Sequence, residues 1–478
     1  MYDRHAKKLN RMVNSDIGEI LFLSALTSDS GSGVRFWNMA RVVADAGWPV
    51  TFVERLPAGL PARAHPGIAY VGIPESRRGG EQLHRSPDAA NKNSFAPADD
   101  LPPADDLPPA DDLPPADDLS PADDLSPAAP SAAVPGSVEA IRGGATTVEV
   151  PSAGAKKENP AIIGPSASGL VAAVLRATQQ GRRIARSRPW RAVYALKPMP
   201  NAVLPALAAA RGGARIVLDV DDLDFEYYPP GLQRRLVRSW FRRWPRRFDA
   251  VSYHVAPLRE YLETEAGVAP ERLRRIPQGV DLDVFATPAT PLPPEIAAFT
   301  GRRATIVYMA SLGITSDFGD VLPALGRILA RHADWGLLVL GHGVRLAEFR
   351  ERAADFGDCI HFAGYVDHAA VPAILRSCRA GFHYLRPGGA NRYRAVMKIR
   401  EYLAAGLPVA ANPSADAADF GEFIALADDE PGWERALAAA VAGEAAARTA
   451  AGRQFVAETL AWSRLAPDIL DVLGLRES

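Results

Sequence analysis

The stretch EILFLSALTSDSGSGVRFWNMARVVADAGWPVTFVER, residues 19–55, decides the fold class. EILFLSAL at 19–26 is a continuous apolar run of strand length, SDSGSG is a glycine-rich turn, and FWNMARVVADAG carries helical spacing of its apolar residues. PVTFVER at 49–55 then reads as a second strand. Strand, glycine loop, helix and strand make a βαβ unit, which pairs its strands in parallel and places helices on both faces of a sheet.

Outward from this unit the alternation continues through AVYAL (192–196), ARIVLDV (214–220), a helix near 232–244, DAVSYHV (249–255) and LRRIP (273–277). After the proline-rich linker TPATPLPPE at 287–295 a second α/β run begins, with strands expected at TIVYMAS (305–311), GLLVLG (336–341), CIHFAGY (359–365), AGFHYL (380–385) and LPVAAN (407–412). The spacing predicts two doubly wound parallel-sheet domains, 1–286 and 287–452. Phe455, Leu460, Trp462, Leu465, Ile469 and Leu473 predict a helix in the closing segment 453–478. In open α/β sheets ligands bind outside the carboxyl ends of the strands, so a cleft between two such domains is the expected site.

One region breaks the pattern. Residues 76–166 read as an insertion in the first domain. Within it A-D-D-L-[PS]-P repeats five times over 98–127, carrying ten aspartates and no aromatic residue. Prolines remove backbone donors and the aspartates repel one another, so the tract is expected to be disordered.

Composition limits the function classes. The chain has 478 residues, 47% hydrophobic and 23% charged, with a formal net charge of -2, enough core-forming material for two domains. Cys359 and Cys378 stand in no ligand-like spacing, which excludes a disulfide framework or thiolate zinc site and fits a reducing cytoplasm. The basic start MYDRHAKKLNRMVNSD is not followed by the apolar region of a signal peptide, and no apolar run is long enough to span a bilayer. No nucleic-acid module or domain-wide basic balance is present. The helix LQRRLVRSWFRRW at 232–244 is read with Leu232, Leu236, Val237, Trp240, Phe241 and Trp244 on one half of its circumference. Arg234, Arg235, Arg238 and Arg242 fall on the other, and Arg246 and Arg247 follow. Such a helix packs on its sheet with a solvated basic face, or uses that face for peripheral contact with anionic membrane or with a phosphate-bearing acceptor.

The pair IPQGVDLDVF (276–285) and KIREYLAAGLPVAAN (398–412), with VLGHG (339–343) and HFAGYVDHAAVPAILRSCRAGFHYLRP (361–387) between them, resembles the signatures of the family-four retaining glycosyltransferases. VYALKPMPNAVLPAL and IVLDVDDLDFEYY resemble the acceptor domain of bacterial members. The resemblance implies a GT-B fold: two Rossmann-like domains across a cleft, the first for an acceptor and the second for a nucleotide diphosphate sugar, with a terminal helix crossing back to the first domain. It implies a ribose-binding role for Glu401. The loop RPGGANRYRAV at 386–396, which includes Gly388 and Gly389, leads into the helix, whose N-terminus presents N–H groups to an anion. Lys398, Arg392 and Arg394 are the candidates to stabilise a departing nucleoside diphosphate. Gly31 and Gly33 resemble the family's loop near the donor phosphates, and a structural turn is the alternative.

Weaker acceptor-side candidates are Lys197, His254 and Asp221, each after a strand, with exposed-loop or packing roles as the bland alternatives. Asp219, Asp221 and Asp222 in LDVDD have no second ligand cluster, so no metal or other cofactor is expected. The sequence also departs from the family. Tyr393 stands where members commonly carry a first glutamate eight positions before the second, and SLGITSDFGDV at 311–321 lacks the usual Arg and Lys. A catalytically silent GT-B protein acting as a binding or assembly partner is therefore the second reading.

Overall fold

The structure is a computed structural model describing residues 18–27, 30–57, 62–74, 167–286, 291–414 and 416–476. The expected insertion 76–166, including the Asp-Pro repeat, lies outside the described residues.

The first sheet has seven strands: β1 Ile20–Thr27, β2 Val50–Leu56, β3 Ile68–Pro74, β4 Ala192–Leu196, β5 Arg215–Asp219, β6 Ala250–Tyr253 and β7 Leu273–Arg275. Every neighbouring pair is parallel, in the order β3-β2-β1-β4-β5-β6-β7. The apolar run of β1 is buried on both faces, as a central parallel strand requires: Leu21, Leu23 and Ala25 enter one core and Ile20 and Phe22 the other. Ile20 sits in register with Val50 on one side and Ala192 on the other. Strand β3, IAYVGIP, was not anticipated from the sequence. It forms the edge beside β2.

The second sheet has six parallel strands: β8 Ala304–Met309, β9 Trp335–Leu340, β10 Ile360–Gly364, β11 Ala380–His383, β12 Val409–Ala411 and β13 Ala425–Leu426. Their order is β10-β9-β8-β11-β12-β13. Each sheet reverses its winding beside its own first strand, between β1 and β4 and between β8 and β11. Crevices open at the carboxyl ends of such switch points.

The closing segment differs from the single helix expected over 453–475. A helix Ala446–Phe455 passes through a π-type turn Val456–Leu460, breaks at the extended Ala461, and restarts as Trp462–Val472. The break has a tertiary cause. Val280 donates its N–H to Leu460 O at 2.9 Å and accepts from the Trp462 N–H at 3.2 Å, so Ala461 pairs with the linker between the domains as a strand would. Gly279 is needed beside it, because a β-carbon there would press into the Trp462 ring. Trp462, Leu465, Ile469 and Val472 then share one core with Phe36, Met39 and Val43 of the helix Gly31–Asp45.

The helix Leu232–Arg243 corrects the even division of its circumference: Val237 and Phe241 are buried, whereas Leu232 and Leu236 are exposed beside the arginines.

Candidate functional site

The carboxyl ends of β1 and β5 bring two first-domain segments to a cavity of about 440 Å³. One is the start of the helix Gly31–Asp45, where Ser30 caps by accepting the Gly33 N–H at 3.0 Å. Gly31 and Ser32 line the cavity. Gly33 does not; it packs so closely on Thr27 that a β-carbon would overlap the Thr27 carbonyl, so its need is steric. The other segment supplies Asp221 and Asp222, and His254 and Gln278 complete this wall.

Lys197 lies behind the wall. It is buried at φ 65°, in the left-handed region, and its Nζ reaches Asp224 at 2.8 and 2.9 Å and Asp221 at 3.3 Å. Burial raises an isolated carboxyl, but Lys197, with smaller help from Ser32 and Arg35, holds Asp221 below its ordinary value. Asp222 goes the other way, lifted by burial and by Asp224 and Asp221 against the pull of Lys197, and it accepts the Tyr227 hydroxyl at 2.7 Å. His254 is pushed down to about 3, first by burial and then by Arg35, so its ring is neutral. Its Nε2 meets the Tyr393 carbonyl at 3.1 Å. The aspartates thus serve Lys197, and among the described residues no three His, Cys, Asp or Glu side chains are grouped as metal ligands would be.

The second-domain wall is built on the helix Met397–Ala404. Asp416, fully buried, accepts the Val396 N–H at 2.8 Å and both arms of Arg400 at 3.0 and 3.1 Å, fixing the helix start. The Tyr402 hydroxyl accepts the Met309 N–H at 3.0 Å, tying the helix to the end of β8. Lys398, Glu401 and Arg394 therefore line the cavity together. Burial, then the nearby Arg394, lowers Lys398 to about 8 although Glu401 and Asp317 pull upward, and its Nζ stands 5.9 Å from the Tyr308 ring centroid. Arg394 is steadied by Asn391, whose Oδ1 accepts from it at 3.1 Å while the Asn391 amide donates to Asp317 at 2.8 Å. Arg392 leaves the cavity: it pairs with Glu260 at 2.9 Å on the exposed surface. Gly388 and Gly389, at φ 82° and 54°, shape the preceding loop and also lie off the cavity.

Comparison with known proteins fits this geometry. The description Glycosyltransferase Family 4 matches residues 151–284, and Glycosyl transferases group 1 matches 303–443. The first match includes Asp221, Asp222, His254 and Gln278 of one wall and the second includes the whole of the other wall, while Gly31 and Ser32 lie outside both. The chain is a GT-B glycosyltransferase. Solved structures share the fold over nearly the whole chain. A sucrose-phosphate synthase from Thermosynechococcus elongatus aligns at TM-score 0.57 and 14% identity, covering 95% of this chain and 98% of that one. Anabaena Alr3699/HepE in complex with UDP and glucose aligns at 0.57 and 12%, covering 96% and 99%. A glycosyltransferase from Rickettsia africae ESF-5 aligns at 0.58 and 11%, covering 96% and 100%. No curated protein matches in sequence.

Two residues of this glycosyltransferase, His368 and Arg35, were missed in the sequence. His368 lines the cavity and bonds Glu401 at 2.9 Å, a contact that raises the histidine pKa. Its segment, GYVDHAA, lies 33 positions before Glu401, so no local pattern joins them. Arg35 is buried and ties Asp219 (3.1 and 3.3 Å), Ile276 O (2.8 Å) and Pro277 O (2.9 Å), binding the first helix to the passage between domains. Tyr393, where the family's first glutamate would stand, packs against the first-domain core.

Proposed function

We propose that the glycosyltransferase holds a nucleoside diphosphate sugar, a hexosyl donor, on its second domain. It transfers the sugar with retention, and without a metal, to an acceptor hydroxyl on its first domain. The observation that supports this most is one cavity in which Lys398, Arg394 and Glu401 face Gly31, Asp221, Asp222 and His254. In this reading the bond from the anomeric carbon to the β-phosphate oxygen breaks and a bond to the acceptor oxygen forms. The acceptor proton passes to the departing phosphate. Lys398 and Arg394 offset the charge that grows on that phosphate, which is worth most in a site withdrawn from water. Glu401 accepts from the ribose hydroxyls while His368 holds its other side. Asp221 or His254 receives the acceptor. Because the donor's charge is met by fixed cations, no divalent ion is required.

A thermal-shift series with UDP-, GDP- and ADP-sugars, followed by assay of sugar release, tests the reading. A donor at about 100 times its Kd stabilises the fold by roughly 2.7 kcal/mol. UDP-glucose is the first to try, since Alr3699/HepE has been solved with UDP and glucose. Stabilisation with turnover in EDTA supports the proposal, and the absence of any shift overturns it. Stabilisation without turnover would instead favour a catalytically silent binding partner, the reading that the packed Tyr393 suggests.

A further inference from the structure

The helix Leu232–Arg243 and the turn Pro245–Arg247 carry a surface that sugar transfer does not use. The inner side is satisfied: Val237 and Phe241 are buried, and Trp240 and Trp244 stack at 5.4 Å and are half-buried. Leu232, Arg235, Leu236, Ser239 and Arg242 are linked by three- and four-residue spacings, so they form one stripe on the opposite side of the helix, and the exposed Arg246 follows in the turn beyond its end. A helix that only covers its sheet needs no leucine there, yet Leu232 is 77% and Leu236 46% exposed.

The charge on this stripe is incompletely balanced. Arg234 is engaged by Glu226 at 2.7 Å, to one side. The single carboxylate of Glu265 approaches both Arg238 and Arg242, at 3.7 and 3.9 Å. Arg246 gains another cation as neighbour, because Arg272 donates to its carbonyl at 3.2 Å. Cations alone would suit any polyanion. Cations with two outward leucines suit an interface, where apolar side chains enter the headgroup layer and guanidinium groups meet lipid phosphates. No described helix is long and apolar enough to cross a membrane, so contact through this helix is contact along a surface.

We propose that this stripe docks the protein on an anionic bilayer. The proposal stands apart from the donor site, and its test contains no nucleotide. The full chain is sedimented with vesicles of phosphatidylcholine alone, or of phosphatidylcholine and phosphatidylglycerol in equal parts, at rising salt. Wild type should follow only the anionic vesicles and be released as salt screens the contact. Combined Arg235→Gln, Arg238→Gln, Arg242→Gln and Arg246→Gln should weaken partitioning at least about 100-fold. Leu232→Ser with Leu236→Ser keeps every charge and should weaken it about tenfold. Both variants alter exposed side chains, and an unchanged melting transition verifies their fold. Equal sedimentation with both vesicles, wild type left in the supernatant, or either variant binding like wild type overturns the proposal. A dimer that Leu232→Ser with Leu236→Ser dissolves would replace the bilayer with a second copy of the chain.

Discussion

The two walls of the cavity treat charge in opposite ways. On the first-domain side Lys197 is surrounded by Asp221, Asp222 and Asp224, and Arg35 is spent on Asp219 and two carbonyls. On the second-domain side Lys398 and Arg394 face the cavity with one lining carboxylate, Glu401, and burial lowers the lysine toward neutrality. A wall whose charges are already paired offers fixed acceptors to hydroxyl groups. A wall that carries an under-compensated cation is set to gain from an arriving anion. This contrast is the electrostatic reason for proposing the diphosphate on the second domain.

The comparison breaks most severely if the paired wall is unpaired. Arg35→Met leaves Asp219 buried without its cation, and loss of one partner of a buried pair costs about 3–5 kcal/mol. Chemical denaturation should show that loss, and a variant as stable as wild type would mean that the pair contributes little. On the other wall, Lys398→Ala should lower kcat by about 10²–10³-fold with the fold intact, as when one preorganised donor is removed. Lys398→Arg keeps the charge but changes its shape and should recover only part. Wild-type turnover in folded Lys398→Ala would move the phosphate role to Arg394.

Glu401→Ala should act mainly on the donor KM, by roughly 1.5–3 kcal/mol or about 10- to 150-fold, because a ribose contact is similar in ground and transition states. A loss confined to kcat would contradict ribose binding. The pH profile sharpens the same contrast. With Lys398 lowered to about 8, the charged form is present below that pH and lost above it, so kcat/KM should fall as pH rises through about 8. Bound diphosphate favours the charged lysine, so the kcat limb should lie higher. Lys398→Arg should remove both limbs from this range. His254, held near 3, should add no acidic limb between pH 5 and 8. The smallest effect is expected from Arg392→Ala, whose exposed pair with Glu260 is worth about 0.2–1 kcal/mol, with little change in turnover.

How much was legible follows from the range of the forces involved. Period and punctuation are local, so the glycine turn at 30–33, the β1 and β8 runs and the Lys398–Glu401 spacing declared two parallel α/β domains and placed a lysine and a glutamate on one helix. Strand β3 escaped because an edge strand beside a long insertion has no partner in its own sequence. Tertiary structure alone decided the rest. Arg392 and Arg394 are two residues apart and look alike in sequence, yet Glu260, 132 positions before Arg392, draws one outward while Asn391 holds the other at the cavity. The break at Ala461 exists because Val280 supplies its hydrogen bonds, and Leu232 faces outward because Val237 and Phe241 fill the inner side. Sequence determined which residues could carry charge or bury carbon; which of them meet was decided by contacts between residues far apart in the chain.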